Sequence, residues 1–429
     1  MDDGIGTGRR ARRGLPRRAR LAITLGVAAA LLLGGGIAAA AVWGGSGRDD
    51  GEARPAATPD PTESTGTAAA SPDPSAEPAP ETEDEAIRVI AMGDMLPHDS
   101  VNANALGADG GYDYGQFFAG LAPQLADADV TFCNQEVPSA GVDFGISGYP
   151  TFNAPAEFAR DLHEVVGCDL VNTATNHTAD QGVEGIAATR AVWDGLGPVA
   201  VAGANRSAEE QRTVPVFEQG GASFALVSFA EYSNAPIDGV SLNLMEDDAL
   251  VSELMAQARE VADVVIVSAH WGTEDSHEVN DQQRAFAQRV ADLGADVILG
   301  TGPHVLQPAA WLDRADGGRT LVWYSLGNML NTQLGLDQLT GVIAGFDVVP
   351  DGAGDYAIER PTGILTYMHY DWSAEEEAAG DLLARRNLSL GPLAGAGERL
   401  ASTRFGVTPE QQIEASAAIL GPDVEILAE

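Results

Sequence analysis

The amino-acid sequence predicts an α/β layered domain, because short apolar runs alternate with amphipathic stretches from Ile87 onward. The runs have the length of buried strands and are flanked by Gly, Pro, Asn or Asp. Strands interleaved with helices are typical of layered α/β architecture. The predicted strands are Ile87–Met92, Val130–Cys133, Leu170–Thr173, Phe224–Phe229, Val264–Ser268, Val297–Leu299 and Leu321–Ser325.

Amphipathic segments between these strands predict the helices. The last of them begins at Asp281 as a helix cap and carries apolar residues from Ala285 to Leu293. Farther along, residues 340–370 look β-rich, and the tail from about Ser373 to Glu429 looks mainly helical. The predicted helices are Pro155–Val166, Gly182–Leu196, Asp247–Ala262 and Asp281–Leu293.

Composition excludes several classes of function. The 429 residues contain 63 Asp and Glu against 24 cationic side chains, all of them Arg, for a net charge of −39. A surface this acidic repels phosphate backbones, so nucleic acid is not a partner. The two Cys are too few for a disulfide scaffold or a thiolate zinc site.

The N-terminal 43 residues predict a membrane anchor. Residues 9–20 contain seven Arg and no acid, and Leu21–Trp43 follows without a charge. A helix of this length spans roughly 30 Å of hydrocarbon. The positive-inside rule places residues 1–20 in the cytoplasm and the main domain outside the cell, in a single-pass arrangement. A cleaved signal peptide is the alternative, because Ala38–Ala41 offers small residues at a cleavage position.

Residues 44–86 predict a disordered linker. They are rich in Pro, Ala, Thr, Ser, Gly and acidic residues, and between Trp43 and Ile87 no residue is more apolar than Ala. Such a segment cannot bury enough surface to offset its ordering entropy. We expect an extended tether between the membrane and a domain over residues 87–345, followed by a C-terminal extension over residues 346–429.

Polar residues that suit metal binding follow five of the predicted strands. The carboxyl ends of strands are where α/β sheets place their ligand sites. Oxygen donors and imidazoles without thiolates suit Mn, Fe, Zn or Mg. The five strand ends carry Gly93–His98, Asn134–Glu136, Thr175–Asp180, Ala269–Gly272 with Glu274 nearby, and Gly300–Val305.

These motifs, in this order, resemble the CapA-like bacterial capsule-synthesis (poly-γ-glutamate biosynthesis) family over roughly residues 87–345. The resemblance implies a calcineurin-like metallophosphoesterase fold, a four-layer α/β/β/α sandwich. Asn134-Gln135-Glu136 stands for the family's Asn-Leu-Glu. The other matching motifs are Gly93-Asp94-Met95-Leu96, Asn176-His177 with Asp180 and Gly182, His270-Trp271-Gly272 with Glu274, Pro303–Pro308 and Tyr324–Asn328.

The resemblance also implies the roles of individual residues. The metal ligands would be Asp94, Glu136, Asn176, His270 and His304, with Glu136 between two metal positions. His177 would protonate a leaving oxygen, oriented by a carboxylate such as Asp180. A metal centre of this kind binds phosphate oxygens and lowers the pKa of a bridging water.

Two departures concern the second metal position. The family commonly has His-Pro-His where this chain has Gly302-Pro303-His304, and Thr301 stands where another His is often found. The resemblance therefore implies one or two divalent ions. Replacing Gly302 with His is expected to tighten binding of a second ion. The phosphoesterase-type Asp-x-His motif is absent here, as it is in the family.

Several residues near these motifs have two interpretations each. His98 is a further ligand or substrate contact, and Asn134 and Glu274 line the site or serve the local turn. Ser325 and Asn328 line the site or cap a strand end. Trp271 is a packed aromatic or a substrate platform. We expect His163 and His277 to be ordinary surface residues, and no motif surrounds His369.

The two Cys are expected to be buried free thiols. Cys133 ends one predicted strand and Cys168 begins another, which places them at opposite ends of parallel neighbours. At ~3.3 Å per residue they would lie about 13–17 Å apart. A disulfide needs Cα atoms within about 7 Å.

Two classes of function follow from the sequence. One is an envelope protein that helps make, export or anchor a capsule polymer such as poly-γ-glutamate, alone or with its synthase complex. The other is a metal-dependent hydrolase acting on a phosphoester or on the polymer, so enzymatic activity stays open. An anionic polymer would need Arg residues near the site, and the candidates are Arg160, Arg190, Arg206, Arg212, Arg284 and Arg289.

Overall fold

The computed structural model describes residues 86–197, 199–352 and 355–428. The predicted cytoplasmic segment, the predicted anchor over residues 21–43 and nearly all of the predicted linker lie outside these ranges. Within them, no helix combines the length and the apolar composition needed to cross a bilayer.

The described residues form a mixed α/β structure with two sheets, as the apolar runs predicted. All seven predicted strands are present, most of them extended by a few residues. The strands are β1 (Ile87–Met95), β2 (Val130–Gln135), β3 (Leu170–Asn172), β4 (Ala200–Ala202), β5 (Val216–Gln219), β6 (Ala222–Ala230), β7 (Val264–His270), β8 (Val297–Thr301), β9 (Leu306–Asp313), β10 (Arg319–Leu326), β11 (Asn328–Leu330), β12 (Thr340–Pro350), β13 (Tyr356–Asp371), β14 (Arg386–Pro392) and β15 (Glu425–Leu427).

All four predicted helices are present, and the first ends in a π-helical turn over Leu162–Val166. Short 3₁₀ turns cover Gly115–Leu121, Val142–Phe144, Leu382–Ala384 and Leu393–Gly395. The α-helices are α1 (Asp99–Ala105), α2 (Ala122–Leu125), α3 (Ala156–Asp161), α4 (Gly182–Asp194), α5 (Ala208–Gln211), α6 (Asp248–Val261), α7 (Asp281–Asp292), α8 (Ala374–Ala379), α9 (Gly397–Ala401) and α10 (Pro409–Leu420).

The cap of α7 is Asn280 rather than the predicted Asp281. The Asn280 side chain accepts a hydrogen bond from the Gln283 N–H, and the Gln283 side chain accepts one from the Asn280 N–H. This reciprocal pair satisfies two N–H groups that the helix itself cannot. Asp281 therefore lies in the first turn, where its charge still suits the positive end of the helix dipole.

The first sheet has the order β14-β13-β12-β1-β2-β3-β4, with β11 beside β1 and β15 beside β13. Strands β1 to β4 are parallel, whereas β12, β13 and β14 add to β1 in antiparallel pairs. The boundary predicted at residue 345 falls inside β12, so the C-terminal extension continues this sheet.

The second sheet has the order β5-β6-β7-β8-β10-β9. Its centre is parallel from β6 through β7 and β8 to β10, and antiparallel strands close both edges. The strands that the sequence predicted to end in polar residues lie in the parallel parts of the two sheets.

The two sheets share one apolar core, because alternate residues of their strands point to opposite faces. Val89 of the first sheet and Leu226 and Ile266 of the second belong to the same buried cluster. The other face of the second sheet packs on α6 and α7 through residues such as Val265 and Phe286. On the outer side of the first sheet, Trp193 of α4 donates a 2.7 Å hydrogen bond to Gln135.

The β-rich segment is formed by β12 and β13, as predicted. The tail is only partly helical, because it also contributes β14 and β15 to the first sheet. Arg386–Pro392 contains Asn, Gly and Pro, which are poor strand formers, so its own sequence does not predict β14. Pairing with the long β13 provides the missing stabilisation.

The prediction of two free thiols is wrong, because Cys133 and Cys168 form a disulfide with a Cα–Cα distance of 5.7 Å. Cys133 does not end its strand, since β2 continues to Gln135. Cys168 lies before β3, which begins at Leu170 opposite Phe132, and the Asp169 N–H donates to the Thr131 carbonyl. The register alone would set Cys168 opposite Val130, but Cys168 lies outside β3, before a bend at Asp169, and there it contacts Cys133.

Candidate metal centre

Strands from both sheets bring the five predicted ligands to one buried group. Asp94 lies near the end of β1, Glu136 follows β2 and Asn176 lies in the turn after β3. His270 ends β7, and His304 lies in the turn between β8 and β9. Each is at most 5% exposed.

Asp94 is held by several hydrogen-bond donors. Asn134 Nδ2 donates to Oδ1 at 2.7 Å, and the Gly302 N–H lies 3.2 Å from both oxygens. His304 Nδ1 lies 3.0 Å from Oδ2. Asn134 is itself fixed by Asn172 Nδ2 at 2.5 Å. The predicted site-lining Asn134 therefore orients Asp94.

Glu136 has the opposite environment. It is 0% exposed, yet neither side-chain oxygen accepts a hydrogen bond from the described residues. The ring nitrogens facing it are His304 Nε2 at 3.8 Å and His270 Nε2 at 4.0 Å from Oε1. Burial raises the pKa of Glu136, and the neighbouring charge of Asp94 raises it further. A buried carboxylate without a partner costs several kcal/mol.

This unpartnered carboxylate fits a metal ion. Ligand atoms of Asp94, Glu136 and His304 all lie within 4.8 Å of one another. Two carboxylates and one imidazole are donors that divalent transition metals and Mg²⁺ accept. A cation among them would give the two Glu136 oxygens the contact that no hydrogen bond from the described residues supplies.

His304 is presented from a left-handed backbone conformation, with φ of 62°. Its Nδ1 lies 3.0 Å from Asp94 Oδ2 and 3.0 Å from Asn328 Oδ1, which fixes the ring and directs Nε2 toward Glu136. Burial alone would lower the pKa of His304, but the charges of Glu136 and Asp94 raise it to about 10. The left-handed backbone conformation of His304 is strained, and backbone strain is often found at functional sites.

The structure argues against adding a histidine at position 302. Gly302 has φ of 103°, a conformation that L side chains rarely adopt. A Cβ there would lie 2.9 Å from the Trp271 carbonyl oxygen and 3.2 Å from His270 Nε2. The expectation that Gly302→His tightens a second ion is therefore not supported, because the turn has no room for the side chain.

Asn176 and His270 form a hydrogen bond with each other, and the same His270 nitrogen lies farther away, at 4.0 Å, from Glu136. His270 Nε2 lies 3.0 Å from Asn176 Oδ1, and His270 Nδ1 lies 3.0 Å from Thr301 Oγ1. Burial lowers the pKa of His270 to about 4, so the ring is neutral. Thr301, where the family often has His, thus orients His270.

His177 and Asp180 form the expected pair beside these residues. His177 Nδ1 lies 2.7 Å from Asp180 Oδ2, which also accepts the Phe152 N–H at 2.7 Å. The Phe152 ring packs edge-on against His177 and against His98, with ring centroids 4.7 and 5.6 Å apart. Burial, helped by the charge of Arg385, lowers the pKa of His98 to about 3.

The remaining predicted residues differ in their contacts. Asn328 contacts His304, whereas Ser325 donates to the Val305 carbonyl at 2.7 Å and supports the turn. Glu274 is exposed, and its charge acts on Glu136 and His304. Trp271 is a packed aromatic, 1% exposed, whose indole donates to the Tyr324 carbonyl.

The histidines not assigned to the site make local contacts, and His163 and His277, expected at the surface, are half-buried. His163 contacts the Cys168 carbonyl, His277 contacts the Leu306 carbonyl, and His369 contacts Asp371.

The six candidate arginines form their bonds with residues other than the five candidate ligands: Arg160 with Asp161, Arg190 with the Val201 carbonyl, Arg206 with Asp194 and Glu210, Arg212 with Glu253, Arg284 with the Val279 carbonyl and Arg289 with Asp248.

Sequence reasoning missed the segment after β6. Tyr232 hydrogen-bonds with Asn176, and Asn234 Nδ2 lies 3.5 Å from His177 Nε2. Glu231 accepts the Gly272 N–H at 2.8 Å, next to His270. The signal was available, because this strand also ends in a run of polar residues.

Comparisons with known proteins agree with these motifs. The family model described as bacterial capsule synthesis protein PGA_cap matches residues 88–333, more than half of the chain. The PGA biosynthesis protein CapA of Bacillus subtilis (strain 168) is 30% identical over 203 residues, 44% of this chain and 49% of that protein. The capsule biosynthesis protein CapA of Bacillus anthracis is 26% identical over 271 residues, 60% of this chain and 62% of that protein. The chain thus spans about half to three fifths of these relatives.

Solved structures give only weak likenesses. A hypothetical protein from Thermus thermophilus has a TM-score of 0.39 and 19% identity, covering 65% of this chain and 99% of that one. A 5'-nucleotidase from Candida albicans has a TM-score of 0.36 and 12% identity, covering 65% of this chain and 51% of that one. Likenesses at these scores support no functional conclusion.

Proposed function

Because the chain belongs to the bacterial capsule synthesis protein PGA_cap family, we propose that it acts in the synthesis, export or anchoring of a capsule polymer such as poly-γ-glutamate. The matched region, residues 88–333, contains the whole candidate centre. Two relatives named for capsule or PGA biosynthesis support the same assignment. The partners would be the polymer or its synthase complex.

The proposal includes one divalent ion, Mn, Fe, Zn or Mg, held by Asp94, Glu136 and His304. The observation that carries it is the fully buried Glu136 carboxylate, which no described residue hydrogen-bonds. When bound, the ion would supply Lewis-acid chemistry, stabilising negative charge on a substrate oxygen. Asn176 and His270 already bond to each other, which favours one ion over two.

A metal-dependent hydrolase is the second candidate, favoured by the His177–Asp180 pair. In this candidate the two sheets and their helices are a four-layer sandwich of the metallophosphoesterase type. Asp180 would stabilise the protonated imidazole through Nδ1, 2.7 Å away. His177 would then give its Nε2 proton to a leaving oxygen, beside Asn234.

The domain is proposed to lie outside the cell, on a single-pass anchor over residues 21–43 with the N-terminus in the cytoplasm. The Arg-rich residues 9–20 support this orientation. The Cys133–Cys168 disulfide supports it as well, because disulfides persist in oxidising compartments. Residues 44–86 would act as the tether.

The test is deletion of the gene in the producing bacterium, followed by complementation with the full chain. Cell-associated polymer should be lost and then restored by wild type but not by Glu136→Ala. Unchanged polymer in the deletion strain would contradict the capsule assignment.

His177→Gln separates the two candidates. If this variant restores polymer, a proton donor is not needed and the assembly role stands. If it fails, and purified wild type cleaves a generic phosphoester that the variant leaves intact, the hydrolase candidate stands.

A further inference from the structure

A cavity of about 400 Å³ lies between the edge of the first sheet and β6 of the second. None of the five candidate metal ligands lines it. Small-molecule sites typically have volumes of about 300–1,000 Å³. The cavity is therefore large enough for a ligand of its own.

Its charged wall is Arg190 of α4. The Nη1 atom donates to the Val201 carbonyl at 2.8 Å, whereas the buried Nε has no hydrogen-bond partner in the described part of the chain. Arg190 forms no ion pair with the described residues, although the nearby Arg206 pairs with both Asp194 and Glu210. The charges of Glu210 and Asp194 act on Arg190 from beyond ion-pair distance, so no carboxylate contacts this partly buried guanidinium.

Neutral polar groups and apolar side chains form the other walls. Asn205 Nδ2 donates to Asn243 Oδ1 at 3.0 Å, and both residues are buried. Ser228 is 0% exposed and its hydroxyl has no partner among the described residues. Leu226 and Leu254 are among the apolar lining residues. This combination suits a ligand with a charged head and a short apolar body.

The charges at the mouth restrict the ligand further. Glu210 is paired with Arg206, but the exposed Glu209 forms no ion pair within the described ranges. The lining contains one Arg, Arg190, and two acidic residues, Glu209 and Glu210, so it disfavours a doubly charged anion such as phosphate. We propose that this cavity binds a small monocarboxylate with a short apolar chain. The inference does not depend on the proposed function.

The test is calorimetric titration of the full chain with pentanoate, its neutral isostere pentanamide, and inorganic phosphate. Pentanoate should bind. Pentanamide should bind about tenfold or more weakly because it loses the charged hydrogen bond, and phosphate should bind equally weakly because its second charge is repelled. Arg190→Gln should weaken pentanoate about tenfold. The matched control Arg212→Gln removes an exposed Arg outside the cavity and should leave the affinity unchanged within about twofold.

A second pair of variants covers the case in which Arg190→Gln fails to fold. Thr213 is exposed and lines the mouth. Thr213→Asp adds a carboxylate there and should weaken pentanoate, whereas Thr213→Asn should not. The proposal is overturned if wild type does not bind pentanoate, if phosphate or pentanamide binds as well, or if Thr213→Asp and Thr213→Asn bind pentanoate equally.

Discussion

The two halves of the candidate centre are built differently. In the first position, formed by Asp94, Glu136 and His304, donors hold Asp94 while both oxygens of Glu136 have no hydrogen-bond partner among the residues described. In the second position, Asn176 and His270 bond to each other at 3.0 Å. A buried polar group without a hydrogen-bond partner indicates a missing ligand, whereas two residues that hydrogen-bond to each other do not. The difference indicates one prepared cation position.

The largest effect should come from Glu136→Ala. This change removes the carboxylate that needs the cation and should weaken metal binding by about 100-fold or more. Asn176→Ala, the matched change in the second position, should weaken it far less. Elemental analysis and titration of the full chain with Mn, Fe and Zn measure both. Equal losses in the two variants would remove the distinction between the positions.

Removing the disulfide tests whether the first position depends on the strand that precedes Glu136. The bridge closes a separation of 35 residues. Replacing both Cys133 and Cys168 with Ala should lower the free energy of unfolding by about 3 kcal/mol. Urea unfolding measures this loss, and metal content per folded chain should not change, because no ligand is removed. A fall in metal content would show that the bridge also positions β2.

A second ion site in the Gly302→His variant would contradict the difference between the two positions of the candidate centre. We expect the opposite, because Gly302 has φ of 103° and a Cβ would meet the Trp271 backbone. The variant should lose about 2 kcal/mol of stability and bind no additional metal. Gly239, around which a Cβ has open space, gives the control Gly239→His. Two ions per chain in Gly302→His would contradict this account.

The smallest effect concerns pH and His98, which follows Asp94 on the same segment. Its folded pKa of about 3 lies below the usual 6.5 because of burial. The unfolded chain therefore binds the proton more readily, and stability falls as pH drops from about 6.5 toward 3. Between pH 6.5 and 5.5 the loss should be roughly 1 kcal/mol in metal-free protein.

His98→Gln keeps a donor for the Leu96 carbonyl but does not titrate. The stability difference between wild type and this variant should therefore shrink on acidification. A difference that is the same at both pH values, measured by urea unfolding, would contradict the assignment.

The sequence by itself determined most of the elements and the members of the centre. Apolar periodicity predicted the strands of both parallel regions except the short β4 and β11, because burial on both faces produces continuous apolar runs. Polar residues at the ends of β1, β2, β3, β7 and β8 predicted a metal site, since parallel strands align their carboxyl ends. The resemblance to the CapA-like family implied which five of these residues would be ligands. The tail strand β14 was missed, because pairing rather than its own composition stabilises it.

Only the tertiary structure decided the contacts that depend on register and on backbone conformation. The bend at Asp169, just before β3, brought Cys168 to Cys133, although strand ends taken from the sequence placed them far apart. The left-handed turn at Gly302 closed the space for another imidazole. A one-dimensional pattern gives the order of side chains along each strand. Their distances across strands follow from hydrogen-bond register and turn geometry, which the whole fold sets.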